Sequence, residues 1–336
     1  DKIEIYIDEL LEKSTPDRPI WNIEKILQGL KSTWNYIDGC MIKAILEMYA
    51  ITKDEKYFRF ADNFIDCKVR EDGSIEGYSV EELNIDNVNA GKTLFELYDL
   101  TGKEKYRKAI DLVYSQIEQM PRTAEGNFWH KNIYPNQVWL DGLYMCQPFY
   151  MEYETRFHEK KNYDDIFRQF FNVVEHMRDP KTGLYYHAYD SSREMFWCDK
   201  VTGLSQNFWL RALGWYSMAL LDTLDKADAS VGEPYERLKK VFVDLMDAML
   251  KYQDASGMWY QVVNFGGMEK NYLETSGSSI MAYALLKGVR LGFLPENYQT
   301  YGAKAFHGIC EKYLSEDADG SLHLDGICLV AGLGGK

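Results

Sequence analysis

Three aspartates stand where loop composition gives way to helical apolar spacing: Asp38 in Trp34-Asn35-Tyr36-Ile37-Asp38-Gly39, Asp86 in Ile85-Asp86-Asn87, and Asp141 in Val138-Trp139-Leu140-Asp141-Gly142. A carboxylate at a helix start ordinarily caps backbone N–H groups and meets the positive end of the helix dipole. Asp141 has different company, because Trp139, Leu143, Tyr144 and Met145 surround it. An apolar setting favours the protonated carboxyl and keeps a proton at hand for general acid work. Asp86 and Asp141 together supply the two carboxylates that glycoside hydrolysis usually needs.

Three further side chains suit an acidic sugar. Arg211 sits in the apolar run Phe208-Trp209-Leu210-Arg211-Ala212-Leu213-Gly214-Trp215. A charge in such a run requires a partner, either a protein carboxylate or a substrate carboxylate held by two parallel hydrogen bonds. His187 lies in Tyr185-Tyr186-His187-Ala188-Tyr189-Asp190 and His130 follows Phe128-Trp129. Each reads equally as a sugar ligand or as a core histidine satisfied by a tyrosine hydroxyl. His158, His176 and His307 lie on charged or mixed helix stretches and read as surface or structural groups, and His323 falls in the last, incomplete unit. Lys131 is a weaker candidate for the same work as Arg211. Tyr36, Trp139, Trp209 and Trp215 add aromatic faces of the kind on which sugars pack.

These residues need a scaffold, and the sequence repeats. Met48–Tyr57 aligns with Leu97–Tyr106 with five of ten positions identical, and Tyr163, Tyr235 and Tyr298 sit in looser versions of the setting. Gly73, Gly126, Gly183, Gly257 and Gly320 follow these tyrosines by 16 to 22 residues, the length of one helix. The apolar spacing between the marks is three to four residues, as in Ala109, Ile110, Val113, Ile117 and Met120. Each unit is therefore a helix pair of roughly 50 to 75 residues, and six pairs fill the chain with the last incomplete. A linear solenoid wants a uniform period. The irregular spacing favours an all-α (α/α)6 barrel, a closed six-hairpin toroid, as a single domain over 1–336. The segments at 34–39, 85–87, 138–142, 209–215 and 274–279 would then lie on one rim.

Composition narrows the partners. The chain has 336 residues, 38 Lys plus Arg against 52 Asp plus Glu, a net charge of −14, and 15% aromatics including 25 Tyr. That balance argues against nucleic acid and anionic membranes, and no stretch has the length and apolarity of a membrane span. The six cysteines form no C-x-x-C pair and there is no H-E-x-x-H, so a thiolate zinc site and a zinc hydrolase are disfavoured. Gly332-Leu333-Gly334-Gly335-Lys336 has the wrong spacing for a phosphate loop, and no G-x-S-x-G elbow is present. Scattered thiols fit a reducing, cytoplasmic compartment, although Asp1 in place of Met leaves room for a removed signal peptide. The abrupt end leaves room for natural sequence beyond Lys336.

Val138-Trp139-Leu140-Asp141-Gly142, then Phe208-Trp209-x-Arg211-x-x-Gly214-Trp215, then Glu274-Thr275-Ser276-x-Ser278 resemble the unsaturated rhamnogalacturonyl hydrolases. These are the glycoside hydrolase family 105 relatives of the unsaturated glucuronyl hydrolases. The resemblance spans nearly the whole chain; Ala212 stands where Gly is more frequent. It implies the (α/α)6 barrel and removal of a 4,5-unsaturated uronic acid from the non-reducing end of pectin-derived oligosaccharides. The implied route is hydration of the double bond, with Asp141 as general acid/base and Asp86 as second carboxylate. His187, Trp209, Arg211 and Trp215 would line the uronate subsite, and Asp38 would be a repeat-equivalent, less catalytic position. Rhamnose is the implied second sugar, and the resemblance implies no metal and no organic cofactor. The competing readings are a conventional inverting glycosidase using Asp86 and Asp141, a non-enzymatic glycan-binding helical-repeat protein and, more weakly, an epimerase. The expected assembly is a monomer or weak homo-oligomer.

Overall fold

A computed structural model describes residues 1–333; Gly334, Gly335 and Lys336, the end of the glycine-rich tail set aside above, lie outside the described residues. The chain divides into two compact units, Asp1–Met120 and Pro121–Lys336.

The first unit contains α1 (Lys2–Glu12), α2 (Ile23–Gln28), α3 (Tyr36–Thr52), α4 (Glu55–Asp66), a 3-10 helix at Ile85–Gly91, α5 (Lys92–Thr101) and α6 (Glu104–Gln119). The pairs α3/α4 and α5/α6 are helical hairpins, and α3 packs along α5. Asn35 caps α3 and Asp54 caps α4, each accepting a backbone N–H.

The second unit contains β1 (Gln137–Trp139), α7 (Leu140–Phe157), α8 (Tyr163–Met177), β2 (Ala188–Asp190), α9 (Leu210–Lys226), α10 (Glu233–Leu250), α11 (Thr275–Arg290), α12 (Tyr298–Tyr313), β3 (Leu314–Glu316) and β4 (Leu322–Leu324). Helices α7, α9 and α11 lie side by side, and α8, α10 and α12 pack against them. Burial separates the two classes. α7 buries 13 of 18 residues and α9 buries 13 of 17, whereas α8 buries 7 of 15 and α10 buries 7 of 18. A helix apolar nearly all round is an inner helix, and one with a single apolar stripe is an outer one.

The repeat marks have physical roles. Tyr57 donates to Asp8 of α1 at 2.9 Å, Tyr106 donates to Asp62 of α4, and Tyr298 donates to Asp247 of α10. In each case the tyrosine at the start of one outer helix is tied to an aspartate of the preceding outer helix. Three of the 25 tyrosines therefore have an architectural role. The five turn glycines all adopt positive φ, from 75° to 102°, a conformation costly to residues with a Cβ. At Gly257 space is also closed, since a Cβ would sit 2.3 Å from the Lys304 carbonyl oxygen.

One expectation shifts. The described residues form five complete hairpins, and the incomplete unit begins the chain as α1, not its end. Beyond α12 the polar run Glu316-Asp317-Ala318-Asp319-Gly320 turns the chain into the β3–β4 hairpin, with the Gly320 N–H bonded to the Asp317 carbonyl at 2.9 Å.

Candidate active site

Antiparallel pairing of β1 with β2 sets Gln137 opposite Asp190, Val138 opposite Tyr189 and Trp139 opposite Ala188. The ladder continues as the Leu140 N–H donates to the His187 carbonyl at 3.0 Å. Asp141 therefore leaves the first turn of α7 beside His187, and its Oδ1 lies 2.9 Å from His187 Nε2. The carboxylate is 16% exposed and the imidazole 5%. Aromatic rings pack around the imidazole. Trp139 meets His187 edge-on with centroids 5.5 Å apart, and Trp209 lies 4.8 Å from it. Trp139 itself stacks with His130 at 4.7 Å and with Tyr134 at 5.2 Å, both nearly parallel. A proton on this hydrogen bond belongs to the pair: a protonated Asp141 donates to Nε2, and an N–H on Nε2 donates to the carboxylate. Such a pair can both deliver and recover a proton.

The same construction recurs at α9. Trp209 bridges to Val262, the Leu210 N–H donates to the Gln261 carbonyl at 3.0 Å, and the Val263 N–H donates to Phe208 at 3.1 Å. Arg211 stacks its guanidinium 4.8 Å over Trp209. Its partners are backbone carbonyls and a hydroxyl, not a rim carboxylate. Nη1 donates to Cys328, Nη2 donates to Leu329 at 3.1 Å, and Ser276 Oγ lies 3.4 Å from Nη1. Glu274, fully buried, caps α11 by accepting from Ser276 at 3.0 Å and Gly277 at 2.7 Å, and also accepts from the Cys328 N–H at 2.8 Å. Thr275 adds bonds to the carbonyls of Gly326 and Asp325. Arg211, Glu274 and Thr275 thus pin the segment 325–329.

In the first unit, Asp86 is half-buried in the first turn of the 3-10 helix, its N–H held by Asn84 Oδ1 at 3.0 Å. Tyr36 opens α3, and its carbonyl accepts from Asn89 of that 3-10 helix at 3.0 Å. Asp38 is 3% exposed and accepts from Trp21 Nε1 at 2.9 Å, Asn22 at 3.3 Å, Asn35 at 2.7 Å and Ser32. A carboxylate so occupied is a structural hub.

Of the remaining expected residues, Trp215 stacks on Tyr144 at 5.2 Å, and Lys131 places its amine 5.4 Å from the Tyr134 ring centre. A cavity of about 410 Å³ opens beside His187, and its walls include Trp197, Trp209, Asn207, Gln261 and Leu333. Trp197 and Gln261 escape a sequence reading because they sit in loops without periodicity. The pair Phe196-Trp197, aromatic yet outside any helical pattern, is the one signal that points to them. Beside this wall, burial pushes the Cys198 thiol up. Among the described residues, no three His, Cys, Asp or Glu side chains are grouped to hold a metal ion, and no helix is long and apolar enough to cross a membrane.

The profile of Glycosyl Hydrolase Family 88 matches residues 12–336. The unsaturated rhamnogalacturonyl hydrolase YesR of Bacillus subtilis (strain 168) is 27% identical over 294 residues, 86% of this chain and 79% of that protein. Protein Atu3128 of Agrobacterium fabrum is 37% identical over 197 residues, 57% of this chain and 82% of that protein. A solved family 105 glycoside hydrolase from C. acetobutylicum ATCC 824 is 45% identical, with a TM-score of 0.89 over 98% of this chain and 90% of that one. The solved unsaturated glucuronyl hydrolase of Bacillus sp. GL1, 13% identical with a TM-score of 0.65 over 87% of this chain and 78% of that one, shares the fold. The fold class is the all-α (α/α)6 barrel read from the repeat.

Proposed function

The chain belongs to Glycosyl Hydrolase Family 88 and its family 105 relatives, and from that premise we propose that it removes a 4,5-unsaturated uronic acid from the non-reducing end of rhamnogalacturonan-derived oligosaccharides by hydrating the C4=C5 double bond. It is a glycoside hydrolase acting on glycans that carry an unsaturated uronic acid. The finer assignment is supported by the likeness to the Bacillus enzyme named for unsaturated rhamnogalacturonyl substrates.

The observation that carries the chemistry is the Asp141–His187 hydrogen bond inside an aromatic enclosure. Asp141 delivers its proton to C4 while positive charge develops at C5, beside the ring oxygen. The resulting carboxylate stabilises that charge at short range in a poorly hydrated site. It then takes a proton from the water whose oxygen attacks C5. The product is a hemiketal; it opens to a C5 ketone, and the C1 hemiacetal left behind releases the second sugar. His187 fixes the carboxyl's orientation through the 2.9 Å bond. Arg211 spends donors of Nη1 and Nη2 on the 328 and 329 carbonyls; of its five N–H groups others are left for the sugar carboxylate. Trp209, Trp215 and Tyr36 supply stacking faces and Lys131 a second cation, while Trp139, already stacked with His130 and Tyr134, walls the site. Asp86 is assigned as the second carboxylate on the family resemblance. The six free cysteines support a reducing compartment.

The test is a pair of disaccharides that differ only in the C4=C5 double bond. Turnover of the unsaturated compound alone supports hydration; equal turnover of both contradicts it, and turnover of neither removes the enzyme assignment at this substrate class.

A further inference from the structure

The β1–β2 ladder has a second face. Trp139 and Ala188 pack in the cluster around Trp197, so Val138 and Tyr189, the neighbouring opposed pair, leave the other side. There they line a small cavity with Asn172, His176 and Met177 of α8 and with Thr123 and Glu125 of the Gly126 turn. The buried Tyr189 ring lies flat on the His176 imidazole, with centroids 4.9 Å and planes 11° apart. Its hydroxyl stands 3.4 Å from Glu125 Oε1. Burial, and next the charge of Glu125, push the phenol above its ordinary value of 10.0, so it keeps its proton and donates to the carboxylate.

The link to the reacting pair is short. His187 stands between two attachments to the end of α8: the Tyr186 N–H donates to the Met177 carbonyl at 3.0 Å, and Tyr189 stacks on His176. Turn and helix are themselves joined, since Asn172 Nδ2 donates to the Glu125 carbonyl at 2.9 Å and to Asn127 Oδ1 at 2.7 Å. Among the described residues, Glu125 Oε2 is buried without a hydrogen-bond partner. Leaving a carboxylate oxygen in that state lowers stability, and an apolar side chain would fill the place at less cost. Stability therefore does not account for the carboxylate; its hold on Tyr189 does.

We propose that Glu125 and His176 are positioning residues for the hydration reaction: gripping Tyr189 from the Gly126 turn and from α8, they hold β2 so that the His187 imidazole stays on the Asp141 carboxyl. This rests on the hydrolase reading above. Both residues act through Tyr189, which lies opposite Val138 in the ladder and two positions beyond His187. The contact they protect is the 2.9 Å bond between His187 and Asp141. Misplacing a catalytic group by an ångström lowers turnover by up to about a hundredfold. Substrate affinity, carried by Arg211 and the aromatic faces, depends less on that contact, so the effect belongs to kcat more than to KM.

The experiment measures kcat, KM, the thermal midpoint and the ring-nitrogen NMR resonances of His187 in the full chain, with an unsaturated uronyl disaccharide as substrate. Glu125→Leu removes the carboxylate, Tyr189→Phe removes only the hydroxyl, and His176→Ala removes the stacked ring. Each is expected to lower kcat about tenfold with KM within about twofold of wild type, and to shift the His187 resonances. Glu125→Gln keeps an acceptor for the phenol and is expected to hold kcat within about threefold of wild type. Glu125→Leu is expected to keep or exceed the wild-type thermal midpoint. The double variant Glu125→Leu/Tyr189→Phe is expected to be no slower than the slower single one, because both changes break one link. Wild-type kcat and unmoved His187 resonances in Glu125→Leu and Tyr189→Phe overturn the positioning role and leave the hydrolase reading intact. So does a loss of kcat that follows the thermal midpoint and is shared by Glu125→Gln. A wild type inactive on the disaccharide overturns the hydrolase reading, whereas the His187 resonances, recorded without substrate, still decide whether Glu125 and His176 hold the pair.

Discussion

His187 Nε2 lies 2.9 Å from Asp141 Oδ1 because His187 immediately precedes β2 and Asp141 lies two residues beyond β1, the paired strands setting Trp139 opposite Ala188 and the Leu140 N–H on the His187 carbonyl. Forty-six residues separate them in the chain, and a ladder of three residues closes the distance. A slip of one residue in that ladder would turn every side chain to the other face and separate the pair.

Asp141→Asn keeps the shape of the carboxyl and a hydrogen bond to His187 but cannot release a proton. Turnover of an unsaturated disaccharide is expected to fall at least about a hundredfold, with the thermal midpoint nearly unchanged. Retention of more than a tenth of wild-type kcat would remove Asp141 from the acid's role. Asp86→Asn tests the second carboxylate by the same assay, and a loss confined to kcat is expected.

His187 acts through Asp141 and also fills space between Trp139 and Trp209. His187→Gln preserves an N–H donor, whereas His187→Ala removes both bond and ring. We expect kcat to rank wild type, Gln, Ala, with KM moving less than kcat in the Gln variant. Stability should fall in Ala by about 2–4 kcal/mol, the scale of emptying a buried ring site. Denaturant unfolding of both variants separates the packing loss from the catalytic one.

Arg211→Lys retains charge but cannot reach two carbonyls with a planar fork. The amide proton of Cys328, buried on Glu274, is expected to exchange faster in the variant. A rise in KM for the unsaturated uronate should accompany it. Unchanged exchange at Cys328 would mean that Glu274 and Thr275 hold the segment without Arg211.

Two glycines that mark the same repeat should respond differently to alanine. Gly126→Ala places a Cβ in open space at φ 102°, and only backbone strain is paid, about 1–2 kcal/mol. Gly257→Ala adds a clash 2.3 Å from the Lys304 carbonyl, bringing the loss to about 2–5 kcal/mol. Equal losses would contradict the close approach of that turn to α12.

Lys68 carries a pH signature. Burial pushes its amine below the ordinary value of 10.5, with Asp38 opposing the shift, and the amine donates to the carbonyls of Pro16 at 3.1 Å and Ser32 at 2.9 Å. Between the lowered folded value and 10.5 the unfolded chain holds a proton that the folded chain has released. Stability contributed by Lys68 therefore rises with pH through that window. The stability of wild type minus that of Lys68→Met should climb as pH approaches 10.5, and a flat difference would argue against the shift.

Much of this was legible in sequence because the repeat is written in residues with obligatory roles. Tyr57 and Tyr106 are buried and need hydroxyl partners, Tyr298 makes the matching bond at the surface, and the turn glycines take positive φ, so their spacing revealed the hairpins. The aromatic setting of Asp141 was equally visible, since its neighbours in the chain are its neighbours in space. Contacts made across long separations were not. The partners of Arg211 are carbonyls 117 and 118 residues away, and a carbonyl has no sequence signature. Glu274 looked like a rim carboxylate but is consumed as a cap. Trp197 and Gln261 are joined by the cavity and by nothing in the sequence pattern.

The most direct measurement follows, after rapid mixing, both the ultraviolet absorbance of the conjugated uronide and the release of the second sugar in one sample. Hydration destroys the double bond before the glycosidic bond can break, so absorbance should fall ahead of, or together with, sugar release. Sugar appearing first, with absorbance lagging behind, would show direct cleavage at the anomeric carbon and would contradict protonation of C4 by Asp141.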